Sequence, residues 1–190
     1  MKTRPIIFNT DMVKAILRGQ KRVTRRPVMP QPFRTPPGTV YGWEWERHGK
    51  RDIWIAEVFL KHCPFGQPGD RLWVRETFAE LPELDGPLFP TDVEYMLSGT
   101  PFRWTVKWKP SIHMPRRLAR IFLKITEVRV ERVQKITEAE ALAEGMYASH
   151  AGQSPVQAFQ KTWDTLYAPR GLGWDANPWV WVVSFKRAMN

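Results

Sequence analysis

The run Trp179-Val180-Trp181-Val182-Val183-Ser184-Phe185 is apolar at almost every position. Alternation assigns Trp179, Trp181, Val183 and Phe185 to one face of a strand, and Val180, Val182 and Ser184 to the other. A strand that is apolar on both faces has to be covered on both, inside a sheet or a small closed barrel. The 190 residues can bury such a core, and 43% hydrophobic against 25% charged residues argues for a folded globule. We expect one domain over 1–190, with loop-rich insertions at about 27–50 and 80–100, where Pro and Gly crowd.

Other elements follow from local pattern. Residues 5–8 read as a first strand, and Thr10 as the N-cap of a helix whose Met12, Ala15 and Ile16 form one apolar face. Gly19 stands where a left-handed glycine ends that helix. Further strands are expected at 52–59, 71–78, 102–108 and 120–133. Thr137 and Glu140 have capping-box spacing, and a last helix runs from about 155 to 167 with Val156, Phe159, Trp163, Leu166 and Tyr167 inward. The expected class is α/β in the α+β sense.

Charge narrows the partners. The formal net charge is +10. Residues 1–27 hold eight Lys or Arg against Asp11 alone, a net +7, and residues 100–135 hold ten against two Glu, a net +8. The expected partner is therefore an anion, nucleic acid being the commonest. Cys63 is the single cysteine, and His48, His62, His113 and His150 lack metal-ligand spacing, so we expect no disulfide, metal or other cofactor. No apolar run reaches 18 residues and no signal core opens the chain, so a cytoplasmic protein without membrane contact is expected.

Chemistry concentrates in Gly19-Gln20-Lys21-Arg22-Val23-Thr24-Arg25-Arg26. Neighbouring cations disfavour a protonated amine, lowering the Lys21 pKa, and Thr24 is a nearby hydroxyl nucleophile. A basic exposed turn touching phosphates explains the same residues more blandly. On a regular strand Lys21 would face away from Thr24 and Arg26, so a shared pocket requires a turn between Gly19 and Arg22. Glu144 lies at a helix end before Gly145, where the dipole disfavours a carboxylate, the right direction for a proton donor. Arg75 and Glu76 sit on opposite faces of one strand, and Glu76 either neutralises arginines or orients Lys21 or Arg26. Trp43, Trp45 and Trp174 are candidates for stacking on a base, with most other Trp in the core. Asp175 and Asn177 fit either a base edge or a turn before the last strand.

The pattern Gly19-x-Lys21-x-x-Thr24-x-Arg26, followed by Ile136-Thr137-Glu138 and then Glu144-Gly145-Met146, resembles the ASCH family, relatives of the PUA RNA-binding domains. Within it the chain resembles the small bacterial N4-acetylcytidine amidohydrolases and the longer ASCH proteins of phages and prophages. Tyr167 ahead of the closing strand is shared, whereas residues from about 30 to 118 are largely uncovered. The resemblance implies a PUA-like bent β-barrel with flanking helices. It implies Lys21 as proton acceptor, Thr24 as nucleophile and Glu144 as proton donor. Arg25, Arg26, Arg75, Glu76, Trp174 and Asn177 are the candidate substrate-binding residues. Three functions remain open: removal of an acyl group from an N4-acylated cytidine, free or in RNA; non-catalytic RNA binding; and metal-independent RNA cleavage. The oligomeric state is not legible.

Overall fold

In the computed structural model, residues 1–34, 41–47, 50–54, 60–80, 93–95, 107–147 and 152–188 are described, those at 33–34, 41–47, 50–54, 80 and 93–95 by backbone alone. A mixed sheet is built from β1 (Thr3–Ile7), β2 (Val23–Pro27), β6 (Arg71–Arg75), β9 (Phe122–Arg132) and β10 (Trp179–Arg187), in the order β1-β6-β9-β10-β2. Only β1 and β6 run parallel; the other neighbours are antiparallel. Two small antiparallel units stand apart, β3 (Phe33–Arg34) with β4 (Tyr41–Arg47) and β5 (Lys50–Trp54), and β7 (Phe78–Glu80) with β8 (Val93–Tyr95). The helices are α1 (Thr10–Leu17), α2 (Glu138–Ala143) and α3 (Pro155–Tyr167). The result is an α+β fold.

β10 is covered on both faces, as its composition requires. Trp181, Val183 and Phe185 join Ile6, Phe8, Val13, Ile16 and Leu72 in one core beneath α1. Val180 and Val182 join Ala141, Phe159, Trp163 and Tyr167 in a second core beneath α2 and α3. Truncating Trp181 to Ala should cost about 3–5 kcal/mol, the usual range for a large buried aromatic.

The sheet is strongly curled. Its end strands β1 and β2 would lie about 19 Å apart in a flat sheet of this order, yet Arg26 on β2 donates from Nη2 to the Ile7 carbonyl on β1 at 2.7 Å. One side chain thus bridges the seam of a nearly closed barrel. A register shift between Ser184 and Phe185 against β9 adds local bend.

Several expectations need correction. Asn9, not Thr10, caps α1, its side chain accepting from the Met12 N–H at 2.8 Å; both are capping types and adjacent, so the sequence was ambiguous by one residue. The region 27–50 is not simply loop, since β3, β4 and the start of β5 lie in it. The alternation Trp43-Glu44-Trp45-Glu46 was the missed signal. Trp43 and Trp45 are therefore strand residues, with side chains outside the described residues. β5 covers Lys50–Trp54 rather than 52–59, of which 55–59 lie outside the described residues. The expected strand 71–78 breaks at Glu76 and Thr77, where pairing passes from the main sheet to β8. Of the expected strand 102–108, residues 102–106 lie outside the described residues and Lys107 and Trp108 are not in a strand.

Candidate functional site

Two helix ends meet to make the site. α1 closes with Gly19 at φ +71°, its N–H donating to Ile16 and that of Gln20 to Ala15. α2 closes the same way, with Gly145 at φ +85°, its N–H donating to Leu142 and that of Met146 to Ala141. Both are Schellman endings, which need a residue that tolerates positive φ. The ends abut: the Arg22 N–H donates to Ala143 O at 2.7 Å, and a Cβ on Gly145 would stand 2.9 Å from Ala15 Cβ. The chain turns right after Gly19, so Lys21 points back toward the end of α2 before β2 begins.

Lys21 is buried, and its Nζ donates to Glu144 Oε2 at 2.6 Å and to the Glu144 carbonyl at 2.8 Å. The ammonium thus caps a helix C-terminus while pairing with the carboxylate beside it. Loss of water around the amine drives its pKa down; Glu144 opposes this, and Arg26 and Arg25 add smaller downward effects. Desolvation, rather than the cation field anticipated from sequence, is the main cause.

On β2, register assigns Thr24 and Arg26 to the face carrying Val183 and Trp181, and Arg25 to the opposite face with Val182. Thr24, Arg25, Arg26 and Glu144 line one small recess, walled by Met12, Phe159, Trp163 and Tyr167 among others. Among the described residues, the Thr24 hydroxyl meets no hydrogen-bond partner. Arg26 also donates from Nη1 to the Tyr167 hydroxyl at 3.3 Å and lies 5.5 Å from the Phe8 ring centre. Lys21 lies 5.5 Å from the same ring.

Arg25 lines the recess and is also held from behind by carboxylates. Its side chain is fully buried, with Nη2 on Glu131 at 2.7 Å and Glu140 at 2.9 Å, and Nη1 3.5 Å from Glu144 Oε1. Arg129 binds the other oxygens of Glu131 and Glu140. Glu140 also accepts from Thr137 in the capping box. Burial raises the Glu140 pKa, but the Thr137 N–H, Arg25 and Arg129 outweigh it and leave the group below its ordinary value. The guanidinium is thus held by carboxylates and in turn backs Glu144.

The remaining candidates lie elsewhere. Glu76 takes a two-pronged bond from Arg120, at 2.9 and 2.8 Å, so the partner of Lys21 is Glu144 and not Glu76. Arg75 stacks over Trp73 at 4.9 Å. Trp174 is half-buried edge-on to Phe159, and its N–H donates to Asp164. Asn177 adopts φ +43°, accepts from the Gln134 N–H and, through its carbonyl, from Arg132, the behaviour of a turn residue. None of these four lines the recess. Sequence reasoning missed Phe159 and Trp163 as recess walls, because inward aromatic residues on a helix read as core. It also missed Glu131 and Glu140 as partners of Arg25, because nothing local links them. No helix among the described residues is long and apolar enough to cross a membrane.

No family model matches this chain, and no curated protein does. Two solved structures are similar to it. One is an ASCH domain from Lactobacillus crispatus JV V101, at 13% identity and a TM-score of 0.46, covering 98% of this chain and 79% of that one. The other is a DUF984 protein from Enterococcus faecalis V583, at 10% identity and a TM-score of 0.43, covering 99% and 80%.

Proposed function

We propose that the protein is an amidohydrolase that removes an acyl group from the exocyclic amine of a cytosine-type base. The observation that carries this reading is a buried amine–carboxylate pair, Lys21 and Glu144, of which Glu144 lines an aromatic recess that Thr24 also lines. Burial favours the uncharged amine, the form able to take a proton. Lys21 accepts the Thr24 proton as the oxygen attacks the acyl carbon. The C–N bond then breaks, Glu144 relays the proton from Lys21, 2.6 Å away, to the departing amine, and the acyl group rests on Thr24 as an ester. Water hydrolyses that ester, releasing the acid and restoring Thr24. Arg26 is the cation best sited to stabilise the oxyanion. Phe159, Trp163 and Tyr167 offer apolar walls for a flat base.

The test is release of cytidine from N4-acetylcytidine by wild type and by Lys21→Ala, Thr24→Ala and Glu144→Gln, each shown to be folded. The reading requires turnover that every substitution sharply lowers. Absence of turnover in the wild type overturns it.

A second reading, RNA binding without catalysis, is favoured by a specific surface. Lys107, Trp108, His113, Arg116 and Arg117 are exposed along one stretch, and no acid lies between 107 and 126. RNA affinity that falls steeply with salt, together with no amide hydrolysis, would select this reading.

A further inference from the structure

Arg25 projects from the face of β2 opposite Thr24 and Arg26, where its neighbour Val182 packs beneath α2 and α3. Its side chain is fully buried, and a guanidinium keeps its proton inside a protein, so the charge has to be met within the fold. Three carboxylates meet it. Glu131 on β9 and Glu140 on α2 both bind Nη2, at 2.7 and 2.9 Å, whereas Nη1 stands 3.5 Å from Oε1 of Glu144. Glu140 and Glu144 stand at i and i+4 of one helix end, a spacing at which like charges repel. Arg25 pairs with both and offsets that repulsion.

The partners divide by nitrogen. Nη2 has as many partners as protons, and Arg129 binds the same two glutamates, so the two arginines balance Glu131 and Glu140. Nη1 is turned to the Glu144 oxygen that Lys21 does not bind. The carboxylate is thereby held at both ends, by the amine on one side and the guanidinium on the other. The charges acting on the Lys21 amine are Glu144 at the end of α2 and Arg26 and Arg25 on β2, with Arg25 among the influences that lower its pKa. Glu131, Glu140 and Arg129 stand behind Arg25. Without the guanidinium, the acids near Glu144 would outnumber Arg129, and the added negative charge would favour the ammonium.

We propose that Arg25 is a positioning residue of this site: it clamps Glu144 at the oxygen Lys21 leaves free and separates the pair from Glu131 and Glu140, so that one carboxylate alone governs the amine. The inference rests on the proposed function for what the pair does, and on geometry alone for how the pair is held.

The experiment follows the Lys21 amine directly, by the pH dependence of its side-chain 13C NMR signal in the full chain, beside kcat and KM for N4-acetylcytidine. Arg25→Met should move the titration midpoint of the amine upward. It should lower kcat near neutral pH by about ten- to a hundred-fold with KM little changed, an effect comparable with loss of the outer partners of metal ligands. Arg25→Lys, which keeps the charge, should hold the midpoint near that of wild type. Adding Glu131→Gln to Arg25→Met restores the balance of charge and should bring the midpoint back down, a rescue that loss of packing cannot produce. Glu131→Gln alone should shift the midpoint below wild type, and it serves if Arg25→Met does not fold. A midpoint that ignores these substitutions overturns the proposal. So does a rise in KM at constant kcat, the mark of a direct substrate contact. If the wild type hydrolyses nothing, the amidohydrolase reading falls, while the amine titration still decides whether Arg25 screens the pair.

Discussion

Glu76 and Glu144 are buried to nearly the same depth, 3% and 2% exposed, and each faces a cation, but the pairings differ in kind. Arg120 meets both oxygens of Glu76 with a planar fork, the geometry that best satisfies a carboxylate. Lys21 takes one oxygen of Glu144, and Arg25 stands 3.5 Å from the other. Glu144 therefore keeps hydrogen-bonding capacity, and it keeps it on the wall of a cavity. Burial of a charge does not by itself distinguish a working group from a structural one. Unused capacity beside open space does.

The sharpest break point is Thr24. Under the proposed mechanism Thr24→Ala lowers N4-acetylcytidine turnover by at least about 10^3-fold, since the ester cannot form. Full activity in a folded Thr24→Ala protein would sink the nucleophile assignment.

Next come the two glutamates. Glu144→Gln breaks the buried contacts of the carboxylate with Lys21 and Arg25, a loss of about 3–5 kcal/mol for a broken buried pair, and Glu76→Gln breaks the fork from Arg120 at a lower cost because Arg120 is partly exposed. Denaturant titration measures both. Turnover of the folded proteins should separate them, falling steeply for Glu144→Gln and staying near wild type for Glu76→Gln. Equal loss of activity in the two would erase the contrast drawn above.

Lys21 gives a smaller, pH-dependent effect. Its native pKa lies below the ordinary 10.5, so between the two values the unfolded chain holds a proton that native Lys21 has released. Stability from this group consequently rises with pH through that window and levels off above 10.5. Melting curves on the alkaline side should show a rise in wild type relative to Lys21→Met. A steeper rise in the variant would contradict a desolvated amine.

The smallest effect concerns the scaffold behind Glu144. Thr137→Ala removes the α2 cap at a cost of about 1 kcal/mol. It also takes the Thr137 hydroxyl from Glu140, which is then held less far below its ordinary value, so the stability lost on acidification below that value should be smaller, and complete at higher pH, than in wild type. An unchanged acid limb would show that the Thr137 N–H, Arg25 and Arg129 suffice.

Features written in a few adjacent residues were readable from the chain: the two-faced apolar strand β10, the Gly19 stop, the Thr137–Glu140 box and the span of α3. The meeting of Lys21 with Glu144 spans 123 positions. Only the resemblance drew attention to both, because no periodicity relates two groups joined by tertiary packing. The carboxylate partners of Arg25 were hidden for the same reason: they come from β9 and the region around α2. Strand β4 was missed because abundant Pro and Gly outweighed a short alternating run.

The seam of the sheet has a mechanical meaning. Among the described residues, β1 and β2 are joined by a side-chain bond from Arg26 to Ile7 rather than by a backbone ladder. A ladder opens only by breaking several bonds together, whereas a tether of this kind yields through rotation of one side chain, a far cheaper excursion. Arg26 also lines the recess that Thr24 and Glu144 share. Arg26→Lys, which keeps the charge but shortens the reach, would loosen that tether and with it the recess wall to which Arg26 belongs.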